Sequence, residues 1–244
     1  MESNIRIKWF DRLDSTNSEV LRHLSDYDNL SVVAAVEQFA GRGQRGNRWE
    51  AAVGENLTFS LLLRPSDLPA RDFMAITFLS ATVVRDWLRG QGVPAVVKWP
   101  NDVYAGGRKI CGMLIENGLD GGNVAWSVIG IGINLNQTVF PGDLVNPTSV
   151  KRLTGKHLDP KEALKSLCTL FEARLPDLSS DRDRLYADYC DGLFQAGIPC
   201  PYRDLRTGEE FTGTIKGVSR DGRLLVEKNG AVEAFAFKEV GYIL

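Results

Sequence analysis

Histidine is almost absent from this chain, with two in 244 residues, His23 and His157. That scarcity argues against a zinc site and against a Ser-His-Asp or Cys-His centre. The four cysteines, Cys111, Cys168, Cys190 and Cys200, show no C-x-x-C spacing, so no disulfide framework is indicated. A dense carboxylate cluster is missing as well, and no metal held by the protein alone is expected. No apolar run approaches the length of a membrane span. Met1 to Phe10 carries charges throughout and lacks the apolar segment of a secretory signal. The expectation is a cytoplasmic protein with reduced thiols and no membrane partner. Excess charge of one sign is lacking too: 29 basic and 31 acidic residues leave a net charge of −2. With no basic domain, DNA is not the expected partner.

What the chain does have is cations gathered in two places. The stretch G-R-G-Q-R-G-N-R-W at 41–49 sets Arg42, Arg45 and Arg48 in a glycine-rich loop without an acidic residue. The stretch K-W-P-N-D at 98–102, followed by R-K-I-C-G at 108–112, sets Lys98 and Lys109 around a tight turn. Such grouping in a nearly neutral protein points to a bound small anion. Gly41-x-Gly43-x-x-Gly46 matches the dinucleotide fingerprint, but Trp49, Gly54 and a strand follow where a helix should open. A P-loop also fails, because Asn47 and Arg48 stand where Lys and Ser/Thr are required. The shared physics survives both rejections: glycines let backbone N–H groups approach an anion, and arginines add forked donors.

Pattern gives the organisation. Trp9 to Asn17 leads into a short helix, with Thr16 and Glu19 at capping-box spacing. Val32 to Val36 and Leu57 to Leu63 read as strands, and the apolar spacing from Asp72 to Arg89 predicts a core helix. Strands are expected near 96–98, 103–104, 110–116 and 124–134. The Gly106-Gly107 and Gly121-Gly122 turns favour antiparallel hairpins over crossovers. Gln137 to Pro147 has no periodicity and reads as a loop able to act as a lid. Helices follow at 160–175 and 181–195. After Gly197, the turns Thr207-Gly208, Asp221-Gly222 and Asn229-Gly230 separate short strands of a small antiparallel barrel. Two parts are expected, 1–196 and 197–244.

In order along the chain stand Asp14-Ser15-Thr16-Asn17, Gln38, the 41–49 loop, K-W-P-N-D, R-K-I-C-G, I-G-I-G-I-N-L-N at 129–136 and N-P-T-S at 146–149. Together these resemble biotin protein ligases, over nearly the whole chain. The resemblance implies an α+β fold: a mixed, largely antiparallel sheet flanked by helices, of the class II synthetase-like kind, with a small C-terminal SH3-like barrel. It is similar to the single-function type, without the N-terminal DNA-binding domain that some bacterial members carry. The implied activity makes biotinyl-AMP from biotin and ATP, releasing pyrophosphate, then transfers biotin to a lysine of a biotin carboxyl carrier protein. Mg²⁺ is expected to arrive with ATP. The nearest alternative is a lipoate or octanoyl ligase or transferase of related architecture; the loop ending in Trp49 and the K-W-P-N-D turn favour the biotin branch. A non-catalytic biotin sensor is a third reading, disfavoured by Lys109.

The residue roles implied are specific. Lys109, Arg42 and Arg45 are the catalytic candidates, set to cancel repulsion between carboxylate and phosphate. Biotin is expected against Ser15, Thr16, Asn17, Gln38, Gly41, Arg42, Gly43, Gln44, Lys109 and Gly112. ATP is expected against Arg42, Arg45, Trp49, Lys98, Asn101, Asp102 and Asn134. Many members of the family have Arg where Gln44 stands, which shifts phosphate contact toward Arg42 and Arg45. The 42–49 and 137–147 loops are the expected covers of the reactive intermediate. Strand edges in such folds often pair across a two-fold axis, so a homodimer is a further expectation.

Overall fold

The computed structural model describes residues 5–142, 144 and 146–244, with the backbone but not the side chain of Arg45. Its main sheet has seven strands: β1 (Arg6–Leu13), β2 (Ser31–Gln38), β3 (Leu57–Leu63), β4 (Ala95–Lys98), β5 (Asp102–Ala105), β6 (Arg108–Asp120) and β7 (Asn123–Ile133). Their spatial order is β1-β2-β3-β7-β6-β5-β4. Helix α1 (Thr16–Arg22) lies between β1 and β2 in sequence, and α2 (Met74–Gly90) between β3 and β4. Beyond the sheet come α3 (Val150–Thr154), α4 (Pro160–Arg174), α5 (Asp177–Ser180) and α6 (Arg182–Asp191).

Strand alternation divides the apolar residues between two faces. Val32, Leu61 and Ile129 join the large core under α2, α4 and α6. Their neighbours Val33, Leu62 and Val128 point the other way and form a small cluster with Val20 of α1. Beside that cluster the α1 face carries Gly130 and Gly132 in place of bulky side chains, and a hollow opens there.

The hairpins at Gly106-Gly107 and Gly121-Gly122 form antiparallel pairs, as the sequence predicts. The helix expected over 181–195 ends at Asp191, and two expectations near the N-terminus fail. Arg6–Leu13 is a strand, where the sequence had suggested only a lead into the helix, and it pairs with β2 in parallel, so β1-α1-β2 is a crossover unit. Its mixed R-I-K-W-F-D-R-L pattern, at a sheet edge, hides the strand period. The Thr16–Glu19 capping box also does not form: Ser15 is the N-cap, without a side-chain cap bond. Glu19 instead accepts from Tyr27 Oη at 3.0 Å, and the Thr16 hydroxyl turns to Ser60.

From Pro199 onward the chain forms a separate five-stranded antiparallel sheet: β8 (Pro199–Asp204), β9 (Glu210–Val218), β10 (Leu224–Lys228), β11 (Ala231–Phe235) and β12 (Val240–Tyr242), ordered β11-β10-β9-β8-β12. It meets the rest of the chain through specific contacts. Trp99 Nε1 donates to Gly222 O at 2.9 Å, and Tyr186 Oη donates to Val218 O at 2.6 Å.

Candidate active site

The floor of the hollow is glycine. Gly112 of β6 and Gly132 of β7 are direct cross-strand partners, and Leu114 faces Gly130. A Cβ at Gly132 would sit 2.2 Å from the Trp49 indole, and one at Gly130 would sit 2.1 Å from Asn17 Oδ1. At Gly112 a Cβ would meet Trp49 at 3.0 Å and Lys109 Nζ at 3.1 Å. Bare backbone is therefore what lets Trp49, Asn17 and Lys109 converge over one patch of sheet.

The roof is the arginine loop. It folds back on itself: Gly43 N donates to Asn47 O at 2.7 Å, Trp49 N donates to Gly41 O at 3.0 Å, and Gln44–Gly46 forms a 3₁₀ turn. Gly46 has φ +85°, in the left-handed region that favours glycine. The lap lowers Trp49 onto the floor, where its indole Nε1 is buried without a hydrogen-bond partner among the described residues. A buried N–H left unpaired is costly, so this donor is suited to a ligand acceptor.

One end wall is the start of α1, where Ser15, Thr16 and Asn17 are all buried. Thr16 N donates to Gln38 Oε1 at 2.7 Å, which fixes the amide and leaves Gln38 Nε2 as the free donor. Asn17 Nδ2 donates to Leu114 O at 3.1 Å and to Glu116 Oε2 at 2.9 Å. Ser60 Oγ lies 2.7 Å from Thr16 Oγ1 and 2.5 Å from Asn17 Oδ1. Ser60 has one proton and Asn17 Oδ1 can only accept, so that proton goes to Asn17 and Thr16 gives its own to Ser60. Thr16 Oγ1 then presents a lone pair. Acceptor and donor stand side by side.

The opposite wall is cationic. Lys109 Nζ lies 2.7 Å from Asp102 Oδ1. Its strand is clasped at that residue, since Lys109 N donates to Asn146 O and Thr148 N donates to Lys109 O. Lys98 stands between two rings, 4.3 Å from the Tyr242 centroid and 5.2 Å from that of Tyr104. Burial lowers its pKa, Asp102 opposes that shift, and Lys109 adds to it. Asn101 Nδ2 donates to Met113 O, and Tyr189 Oη donates to Pro100 O at 2.7 Å, so the turn is held from below. Cys111 belongs to the opposite core, where burial pushes its thiol far up and makes it a poor nucleophile.

The hollow encloses about 180 Å³. Of the residues singled out in the sequence, it brings together Ser15, Thr16, Asn17, Gln38, Arg42, Gly43, Gln44, Trp49, Lys98, Asn101, Asp102, Lys109 and Gly112. Gly41 supports the loop from outside, against the Trp49 carbonyl. Asn134 donates to Thr148 O at 2.9 Å and braces the segment behind Lys109, away from the hollow. The side chain of Arg45 and residues 143 and 145 of the second loop lie outside the described residues. Arg42 reaches across the α1 end to pair with Glu116, with Nη2 2.7 Å from Oε1. Sequence reasoning missed Glu116 and Ser60, and it held Gly130 and Gly132 only within the 129–136 motif, without a role. Alternation from Gly112 along β6 would have put Glu116 on the same face.

The profile of the Biotin/lipoate A/B protein ligase family matches residues 9–134. The biotin–[acetyl-CoA-carboxylase] ligase of Paracoccus denitrificans is 38% identical over 168 residues, covering 66% of this chain and 69% of that protein. The bifunctional ligase/repressor BirA of Bacillus subtilis is 31% identical over 211 residues, and the match spans 83% of this chain and 63% of BirA. Among solved structures, the biotin protein ligase from Aquifex aeolicus in complex with biotin and ATP superposes with a TM-score of 0.80 at 24% identity, over 97% of both chains. That match is in fold, and the profile covers more than half of the 244 residues, including the glycine floor and the whole arginine loop. The chain belongs to the biotin/lipoate A/B protein ligase family.

Proposed function

We propose that the chain is an ATP-dependent biotin protein ligase. A carboxylate oxygen of biotin attacks the α-phosphorus of ATP, the bond to the bridging oxygen breaks, and pyrophosphate leaves. A lysine amine of a biotin carboxyl carrier protein then attacks the acyl carbon of biotinyl-AMP. An amide forms, AMP departs, and the amine gives up a proton.

The observation that carries this reading is the pairing of opposite chemistries over one glycine floor. The ureido ring of biotin is flat and neutral, with N–H donors beside a carbonyl acceptor. Thr16 Oγ1 and Gln38 Nε2 offer the complementary acceptor and donor. At the other wall, the ammonium groups of Lys109 and Lys98 meet the biotin carboxylate and the ATP phosphates. There they offset the repulsion between two anions and the charge growing on the α-phosphate oxygens. Ser15, Asn17, Gly43, Gln44 and Gly112 shape the biotin end, and Trp49, Asn101 and Asp102 the nucleotide end. Arg45 and Asn134 keep their assignments to ATP, and Gly41 to biotin, on the family resemblance alone.

Mg²⁺ fits this reading as a companion of the nucleotide. Among the described residues no group of three or more His, Cys, Asp or Glu could hold a metal. Asp102 is the carboxylate lining the hollow, and it is already engaged by Lys109. Such a donor set would suit an ion that arrives with the nucleotide, and Asp102 is the residue that would help to hold it. Bound there, it would spread the phosphate charge.

The same reading takes 1–196 as the part that binds biotin and ATP, and 197–244 as an SH3-like part behind it. It assumes a cytoplasmic location, consistent with four unbridged cysteines and with no described helix long and apolar enough to cross a membrane. No DNA partner is proposed. A homodimer through the outer edge of β1, which has no partner strand among the described residues, is proposed on topology. The loops at 42–49 and 137–147 are proposed to shield the adenylate from water.

Biotin-dependent exchange of labelled pyrophosphate into ATP, with lipoate as control, is the test. Exchange with biotin and none with lipoate is the expected result. Exchange with lipoate alone would transfer the assignment to the lipoate branch, and none with either would leave a binder without chemistry.

A further inference from the structure

We propose that Glu116 is a positioning residue that latches the arginine loop over the α1 end of the hollow. Three contacts meet on its carboxylate. Arg42 pairs in fork geometry, with Nη2 2.7 Å from Oε1 and Nη1 3.2 Å from Oε2. Asn17 Nδ2 donates to the same Oε2 at 2.9 Å. One carboxylate on β6 thus ties the loop and the first turn of α1 to the same strand. Arg42 Nη1 also lies 3.5 Å from Ser18 Oγ, on that same turn.

The position of Glu116 explains why this acid does the tying. Along β6, Gly112, Leu114 and Glu116 face the α1 side, and their partners on β7 are Gly132, Gly130 and Val128. Glu116 therefore continues the row of the floor to the rim, where Arg42 must pass if the lap is to lie down. Arg42 is consequently a mechanical part of the roof. The cationic load at the reacting phosphate falls on Lys98 and Lys109, which stand at the other wall.

The latch also sets the biotin end. Glu116 holds Asn17 Nδ2, the opposite face of that amide accepts from Ser60, and Ser60 takes the Thr16 proton. The lone pair offered by Thr16 thus depends on a chain that ends on Glu116. Neutralising Glu116 loosens the roof and the biotin wall together and leaves the lysine wall alone. The Glu116 side chain is 26% exposed and that of Arg42 41%, so the pair is worth about a five-fold bias toward the closed loop and no more.

The test begins without substrate. Trypsin cuts after Arg42, Arg45 and Arg48, so nicking in this loop reports its opening. Glu116→Gln keeps the shape and the acceptor for Asn17 but loses the ionic fork. It should nick in the loop about five-fold faster than the parent, with no change at Lys216 in the C-terminal sheet. Joining Glu116→Arg with Arg42→Glu should restore protection after Arg45 and Arg48, while either change alone should not. Nicking of Glu116→Gln at the parental rate, or no recovery in the reversed pair, would overturn the latch. The second readout rests on the ligase reading: the biotin KM of Glu116→Gln should rise about five-fold, with the ATP KM unchanged and kcat within about two-fold. An equal rise in both KM values would also overturn it. The two failures are distinguishable. Faster nicking in a chain that never exchanges pyrophosphate sinks the ligase and keeps the latch, whereas an active ligase with unaltered nicking sinks the latch alone.

Discussion

Replacing Lys109 by Ala tests the cationic wall most directly. Its Nζ lies 3.1 Å from the position of a Gly112 Cβ, over the floor, and 2.7 Å from Asp102 Oδ1. In the proposed reaction this ammonium donates to an oxygen whose charge grows as the α-phosphate is attacked. Removing one preorganised donor of that kind costs about 3–4 kcal/mol, or roughly 10²–10³ in rate. The cost to folding is much smaller. The Lys109 and Asp102 side chains are 32% and 23% exposed, so solvent screening holds the pair to about 1 kcal/mol at most. Asp102 also keeps Lys98 as a nearby cation, so no buried charge is stranded. For a chain of this size that corresponds to a fall in Tm of about 2–4 °C. Pyrophosphate exchange at saturating biotin and ATP, with thermal unfolding alongside, separates the two effects. Exchange within about ten-fold of the parent would refute the role given to Lys109, because a lost transition-state contact of this type costs more. A loss of Tm well beyond this range would mean that the fold, and not the chemistry, had been damaged.

Other outcomes follow from the same geometry. Gly132→Ala puts a methyl 2.2 Å from the Trp49 indole and forces the ring off the floor, at about 1–3 kcal/mol. Tryptophan fluorescence should shift and the biotin KM rise, while Gly90→Ala, with nothing within 4 Å of the new methyl, should match the parent. Thr16→Val keeps the shape but removes the lone pair; the biotin KM should rise about ten-fold, the effect of one lost hydrogen bond, and an unchanged KM would refute the donor–acceptor pairing. Burial lowers the Lys98 pKa from its ordinary 10.5, so ATP affinity should fall as pH rises through a midpoint below 10.5, and Lys98→Arg should erase that limb. The sign for stability is opposite. Between the lowered folded pKa and 10.5 the unfolded chain binds more protons at Lys98, so this group's contribution to stability rises with pH, measurable as the pH dependence of the urea midpoint.

How much of this was legible in the sequence varies with the kind of interaction. Leu57–Leu63 and the helix beginning near Asp72 announce themselves, because burial on both faces or along one stripe leaves a period in the apolar residues. Lys98, Asp102 and Lys109 were also within reach, since a tight turn brings neighbours in sequence together. The edge strand Arg6–Leu13 was hidden by its charges. The capping box at Thr16 failed for a related reason: a residue from β3, forty-four positions away, took the hydroxyl that local rules had given to the helix. Glu116 was invisible on similar grounds. Its partners lie 74 and 99 positions back, and no local spacing encodes a carboxylate that joins a loop to a helix. The contribution of Gly130 and Gly132 was disguised differently, since a glycine acts here through what it allows a distant indole or amide to do.

Lys98 leans on Tyr242, and Tyr242 is the last residue of a three-residue strand paired only to β8. Tyr242 thereby joins the Trp99–Gly222 and Tyr186–Val218 hydrogen bonds as a further tie between the C-terminal sheet and the rest of the chain. Short edge strands open more readily than central ones, and any opening of β12 would expose Lys98 to water and relieve the burial that lowers its pKa. The setting of Lys98 in the hollow then depends on how firmly β12 is seated. A substitution at Tyr242 would therefore reach Lys98 directly and leave Tyr104 as the ring against it.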